Sequence, residues 1–326
     1  MDLNRRQFVA AGSFALFAAT LRAEAKQCPF RLAVIADEIS KDFDHACHVA
    51  ANDFGLSWIE VRDLLGKNIT KLDANETAEA KKILAKNNLR VTNVGTPLFK
   101  SDFPGAPLSK EGPNKDPNKV PKDLSAQYQL LDEAIAAARN FGTERIRCFD
   151  FWRLEDPAPF RKAMDAELDK AATIAGKNGM ILVLENEMAC NTGSGKEAAR
   201  TLAAVTNPHL MLNWDPGNSG TFPGDVPYPD DYNGLPKKRI GHMHVKSVSR
   251  TPGEKRSFQW EPVGKGLVDW TGQLRAMKQA GYRYGVSLET HWHGGPGTTR
   301  EEISESSTRV SMQGLKDALK AAGIDC

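Results

Sequence analysis

Eight apolar, strand-like runs alternate with amphipathic helical stretches along this chain, which predicts an α/β fold, a single-domain (β/α)8 TIM barrel. Two further observations agree. The length of 326 residues with 40% hydrophobic content suits one large barrel with a sizeable core, and neither an internal repeat nor a second-domain linker interrupts the alternation. The alternative, a doubly wound open sheet, would carry a glycine-rich dinucleotide fingerprint after its first strand, where "ADEIS" stands instead.

The elements follow in order. "RLAVIADEIS" reads as strand one, ending in acids, and "DFDHACHVAANDFG" as a helix closed by Gly55. "SWIEVRDL" is strand two. "NETAEAKKILAKNNL" is a helix with apolar residues three and four apart, and "RVTNVGTP" is strand three. Residues 100–122 are rich in Pro, Gly, Lys and Asp and fit neither pattern. So long a loop is either a lid or binding loop or a plain surface insertion. "SAQYQLLDEAIAAARNFG" is a helix, "TERIRCFDFW" strand four, and "FRKAMDAELDKAATIAGKNG" the helix after it. "MILVLENE", "HLMLNWDPGN", "RIGHMHVKSV" and "RYGVSLETHW" are strands five to eight. Helices are expected at "KEAARTLAAVTN", "VDWTGQLRAMKQAGY" and "SESSTRVSMQGLKDALKAAG", with a loop instead of a helix after strand six.

Charge is nearly balanced, 43 basic against 41 acidic residues, so the basic excess of a nucleic-acid binder is missing. A small or neutral ligand fits better. The five cysteines, Cys28, Cys47, Cys148, Cys190 and Cys326, are scattered and never form a CxxC pair. That excludes a disulfide framework and a cysteine zinc site, while leaving room for one disulfide in an exported protein. Residues 1–25 resemble a twin-arginine signal peptide, with Arg5-Arg6, an apolar stretch from Val9 to Ala19, and Ala23-Glu24-Ala25 as cleavage site. Asn4 departs mildly from the usual residue before the arginines; the plainer reading is a short N-terminal helix. The expected mature domain spans 26–326 and is periplasmic or otherwise exported. The apolar stretch falls short of the roughly 20 residues that span a bilayer, so stable membrane insertion is not expected.

In a barrel the C-terminal strand ends form the active face. Strand two brings Glu60 and Arg62 there, strand five Glu185, Asn186 and Glu187, and strand six Asp215 and Asn218. Strand seven brings His242 and His244, and strand eight Glu289 and His291. A lone carboxylate at a strand end is usually a salt bridge or a helix cap. Four adjacent strands delivering Glu, Asp, His and Glu to one rim point further, because crowded like charges need a cation or protons to compensate. Three carboxylates and one imidazole suit one divalent ion, Mn²⁺ first, with Mg²⁺, Co²⁺ or Zn²⁺ as alternatives.

The segments "LENE", "NWDPGN", "HMHVKS", "GKGLVDW" and "GVSLETHW", in this order, resemble the sugar phosphate isomerase/epimerase family, the xylose isomerase-like TIM barrels that include ketose 3-epimerases. The resemblance covers the chain after the signal. It implies metal ligands at Glu185, Asp215, His244 and Glu289, with Glu185 and Glu289 also moving the substrate proton. It implies a carbohydrate substrate and proton abstraction next to a carbonyl through a metal-stabilised enediolate. Asn218 stands where the ketose epimerases have a histidine. An amide can hold a hydroxyl but cannot act as a base, which weighs against simple ketose epimerisation.

Candidate substrate contacts are Asn218, Lys246, His242, Trp152, Glu60 and His291. His242 shares a strand face with His244 and reads as a buried structural histidine or a substrate contact. Glu60 reads as the salt-bridge partner of Arg62 on the rim or as a substrate contact. Glu187 reads as a support behind Glu185. Trp152, Trp214, Trp260 and Trp292 are stacking faces or core, with Trp214 expected in the core. The leading expectation is a metal-dependent isomerase or epimerase. The alternatives are a lyase that eliminates from 3-keto-glycosides, a nuclease-like member of the same barrel, and a non-catalytic sugar binder. Seven histidines and a near-neutral charge speak against the nuclease. A homo-oligomer is compatible with everything above.

Overall fold

The computed structural model describes residues 28–251 and 258–326; the twin-arginine segment lies outside the described residues. Eight parallel strands form the barrel: β1 (Arg31–Val34), β2 (Trp58–Val61), β3 (Arg90–Leu98), β4 (Arg145–Cys148), β5 (Ile181–Glu185), β6 (Leu210–Trp214), β7 (Ile240–Val245) and β8 (Gly285–Leu288). Each pairs with its sequence neighbours, and β8 pairs with β1, Arg31 opposite Gly285. An Ile35–Glu60 bridge between the ends of β1 and β2 closes the ring. The outer helices are α1 (Phe43–His48), α2 (Ala74–Lys86), α3 (Ser125–Phe141), α4 (Arg161–Lys177), α5 (Gly195–Ala204), α6 (Trp270–Gln279) and α7 (Arg300–Ala321).

Strand alternation divides the side chains into two sets. Val34, Ile59, Val61, Ile146, Leu182, Leu184, Leu212, Met243, Val245, Val286 and Leu288 point outward into the apolar layer under the helices. Each contributes roughly 1.5–3 kcal/mol on burial. The inward set is largely polar and buried: Glu60, Thr92, Arg145, Arg147, Asn213, His242, His244 and Ser287. Gly285 belongs to the inward set because a Cβ there would come within 2.5 Å of His242 Nε2.

Three differences from the sequence expectations have local causes. Strand seven stops at Val245, and Ser247–Arg250 turns away to pair antiparallel with Phe258–Glu261. The last helix starts at Arg300 rather than at Ser304, because Thr299 and Glu302 form a reciprocal capping box. The 100–122 segment is irregular apart from one short turn, Pro117–Lys119, yet it is tied down. Ser109 Oγ donates to the Arg153 carbonyl at 2.6 Å, and Phe103 packs on Phe151 with ring centroids 4.8 Å apart. As expected, β6 runs into a short helical turn, Pro216–Gly220, and not a full helix.

A disulfide joins Cys28 to Cys326, while Cys47, Cys148 and Cys190 are free and buried. Among the described residues no helix is long and apolar enough to cross a membrane.

Candidate metal centre

Glu185 ends β5, Asp215 follows β6, His244 lies near the end of β7 and Glu289 follows β8. All four are buried, and one donor atom from each lies within 4.8 Å of the others. His244 Nδ1 stands 3.4 Å from Glu185 Oε1, 3.3 Å from Glu289 Oε2 and 3.9 Å from Asp215 Oδ2. Asp215 is held by its backbone: its N–H donates to Asn186 Oδ1 at 2.7 Å, and its carbonyl accepts from Asn186 Nδ2 at 2.8 Å. Its Oδ1 caps the following turn by accepting from Asn218 N–H at 2.9 Å. Gly217 in that turn is required by close approach, since a Cβ would meet the Lys246 carbonyl oxygen at 2.5 Å.

Cations from three strands surround the carboxylates. Lys246 Nζ donates to Glu289 Oε2 at 2.7 Å and pairs with Asp215 Oδ2 at 2.9 Å. Arg147 Nη1 donates to Glu185 Oε2 at 3.2 Å. Arg62 reaches Glu289 Oε1 at 3.3 Å but is held mainly by Asp37 at 2.6 Å and Glu38 at 2.9 Å. Asn218 Nδ2 donates to Glu185 Oε1 at 3.3 Å and Asp215 Oδ2 at 3.2 Å.

Burial pushes the Glu185 carboxyl up, but the charges on His244 and Arg147 outweigh it and bring it down to about 2. Burial raises Asp215 to about 6, with Lys246 opposing. Glu289 lies well below the usual carboxylate range because Lys246, His291 and His244 overcome its burial. Burial lowers His244, yet Glu60, Glu185 and Glu289 together raise it well above an ordinary histidine. Burial alone dominates at His242, which falls to about 3 and is neutral.

This donor set fits a divalent ion. With His244 neutral, the buried carboxylates Glu60, Glu185, Asp215 and Glu289 outnumber the buried cations Arg147 and Lys246 beside them, which favours a further cation there. The spacing of the donor atoms also suits a shared centre with bonds of about 2.0–2.2 Å. His244 must then give up a proton, because its raised pKa keeps it protonated at neutral pH. Ion binding at pH 7 is therefore expected to release roughly one proton and to weaken as pH falls. Calorimetry in two buffers of different ionisation enthalpy measures this; binding without proton release would contradict it.

Several expected neighbours lie elsewhere. Glu60 neither pairs with Arg62 nor reaches the rim. It points into the barrel beneath His244, with its Oε1 accepting from Asn93 Nδ2 at 3.0 Å, while Arg62, two residues on, takes the rim. His242 is likewise below the cluster, bonded through Nδ1 to Asn213 Oδ1 at 3.0 Å. Glu187, expected behind Glu185, accepts from Lys100 Nζ at 3.0 Å. Trp152 packs beside Gly112 with Lys100 5.4 Å above its ring. Trp214 is in the core, as expected. His291 lies 3.5 Å from Glu289 Oε1 and edge-on to Trp260, whose ring centroid is 5.1 Å from Lys246 Nζ. Arg147 escaped the sequence reading. Its signal was the pair of arginines two apart in "RIRC", where an outward apolar face alternates with an inward charged one.

The chain matches the xylose isomerase-like TIM barrel family over residues 49–315 and belongs to it. Among solved structures it is similar to a xylose isomerase domain protein from Planctomyces limnophilus, at TM-score 0.68 and 14% identity over 90% of this chain and 99% of that one. It is also similar to a xylose isomerase-like TIM barrel protein from Mycobacterium smegmatis in complex with magnesium (TM-score 0.62, 18% identity, 90% and 98% covered). A third likeness is to D-psicose 3-epimerase in the presence of D-fructose (TM-score 0.63, 14% identity, 90% and 100% covered). Such identities speak for the fold. No curated protein sequence matches the chain.

Proposed function

We propose that this chain is a divalent-metal-dependent enzyme that moves a proton at the carbon beside a carbonyl of a carbohydrate, as an isomerase or epimerase. The observation that carries this reading is the convergence of Glu185, Asp215, His244 and Glu289 on one buried point. These four residues would hold the ion, with Mn²⁺ preferred and Mg²⁺, Co²⁺ or Zn²⁺ as alternatives. When bound, it supplies a Lewis acid that acidifies a C–H next to a substrate carbonyl.

The chain's own groups do the rest. Glu289, kept ionised by Lys246, His291 and His244, is the base and carries the proton it removes. In an isomerase it returns that proton to the neighbouring carbon, whereas in an epimerase Glu185, ionised in the free protein, first takes a proton from solvent and then delivers it to the opposite face. Lys246 and Asn218 donate hydrogen bonds to substrate oxygens, and Trp260 and His291 form the outer wall beside Lys246. The related magnesium-bound and epimerase structures support a metal and a sugar here by analogy.

A second reading is elimination from a 3-keto-glycoside. It is favoured by Lys246, a buried ammonium beside Glu289 that can neutralise a departing oxygen, and by Asn218, which cannot serve as a base. The metal-loaded protein, incubated in D₂O with free ketoses and 3-keto-glycosides, is expected to place deuterium beside the carbonyl of its substrate. Product analysis separates isomerised sugar from eliminated product. Bound metal without exchange on any member of the panel would overturn the enzymatic reading.

A further inference from the structure

We propose that Glu60 is a positioning residue that fixes the tautomer and aim of His244, an inference that rests on the ion-binding reading above. Glu60 lies on β2, across the barrel interior from β7, and is fully buried. Its two oxygens stand 3.2 and 3.3 Å from His244 Nε2. A carboxylate only accepts, so Nε2 carries its proton and donates it to Glu60. The proton an ion displaces is then the one on Nδ1, and it is the Nδ1 lone pair that the ion would take among Glu185, Asp215 and Glu289.

The surroundings hold this arrangement. Asn93 Nδ2 donates to Glu60 Oε1 at 3.0 Å, which fixes the carboxylate. Asn213 Nδ2 lies 3.2 Å from the same His244 Nε2 and 3.4 Å from its Nδ1, and is the one rival donor to Nε2 among the described hydrogen bonds. If it won, an Nε2 lone pair would face the Glu60 carboxylate, and Nδ1–H would point into the cluster and block it. The charge on Glu60 decides the contest. His242 steadies Asn213 alone: its Nδ1–H donates to Asn213 Oδ1 at 3.0 Å, while its Nε2 makes no hydrogen bond. A carboxylate behind a ligand imidazole also makes the nitrogen in front more basic, strengthening the ion's hold.

The test is Mn²⁺ calorimetry and metal stoichiometry on metal-stripped wild type and Glu60→Gln, which keeps the shape and removes the charge. One ion per wild-type chain and a 10–100-fold weaker affinity in the variant are expected. Equal affinities would overturn the inference while leaving the ion-binding reading intact. Two ions per wild-type chain, one of them lost in the variant, would make Glu60, His242 and His244 a second ligand set and overturn the positioning role. No ion in the wild type would bring down the earlier reading along with this one. Should the variant fail to fold, ¹⁵N spectra of the Zn²⁺-loaded wild type decide: His244 must show a protonated Nε2, and a protonated Nδ1 overturns the inference.

Discussion

Glutamine in place of Glu289 should cut substrate proton exchange in D₂O by about 10²–10⁴-fold, the usual worth of a positioned general base. The amide keeps an oxygen for an ion but has no basic lone pair to take a proton. Lys246 would lose its 2.7 Å charged partner at the same time and lean on Asp215 alone. The measurement is the rate of loss of the substrate C–H signal at saturating metal, so weaker metal binding does not masquerade as lost catalysis. Full exchange in this variant would move the base elsewhere, with His291, 3.5 Å from Glu289, the next residue to examine.

The second large effect concerns stability. Arg147 and Glu185 form a buried ion pair at 3.2 Å, deep enough that water cannot replace either partner. Removing one side of such a pair costs about 3–5 kcal/mol, because it strands the other charge. Arg147→Met should therefore lower the unfolding free energy of the metal-stripped protein, read from denaturant curves, by an amount of that order. Adding divalent metal should recover part of the loss, since an ion beside Glu185 supplies the missing positive charge. Unfolding curves indistinguishable from wild type would show that Glu185 takes its compensation from His244 alone.

How much of this was legible beforehand depended on the kind of signal. The barrel and its order were readable because apolar runs alternate with helical spacing over the whole chain. Glu185, Asp215 and Glu289 were readable because each acid follows an apolar run, and such runs end at one face of a barrel. The depth of a residue was not readable. Glu60 also follows an apolar pair, but β2 is in register with the end of β1 through the Ile35–Glu60 bridge, one step below the rim. Arg147 was missed because an arginine is ordinarily taken as a surface residue, while this barrel fills its interior with charge. The capping box at Thr299 and Glu302 was in the sequence and was simply outweighed by the later apolar spacing. Where Lys246 ends up depends on the strand breaking at Val245, a tertiary event set by the hairpin that follows.

The Cys28–Cys326 bond gives the domain the topology of a ring. A single cut in the tethered 100–122 segment would leave two pieces still covalently joined, so the nicked protein would travel as one molecule until reduced. New ends opened in that segment would likewise leave the domain covalently joined, because Cys28 and Cys326 are already bonded. The barrel closes through hydrogen bonds between β1 and β8, and the polypeptide closes a second time through sulfur.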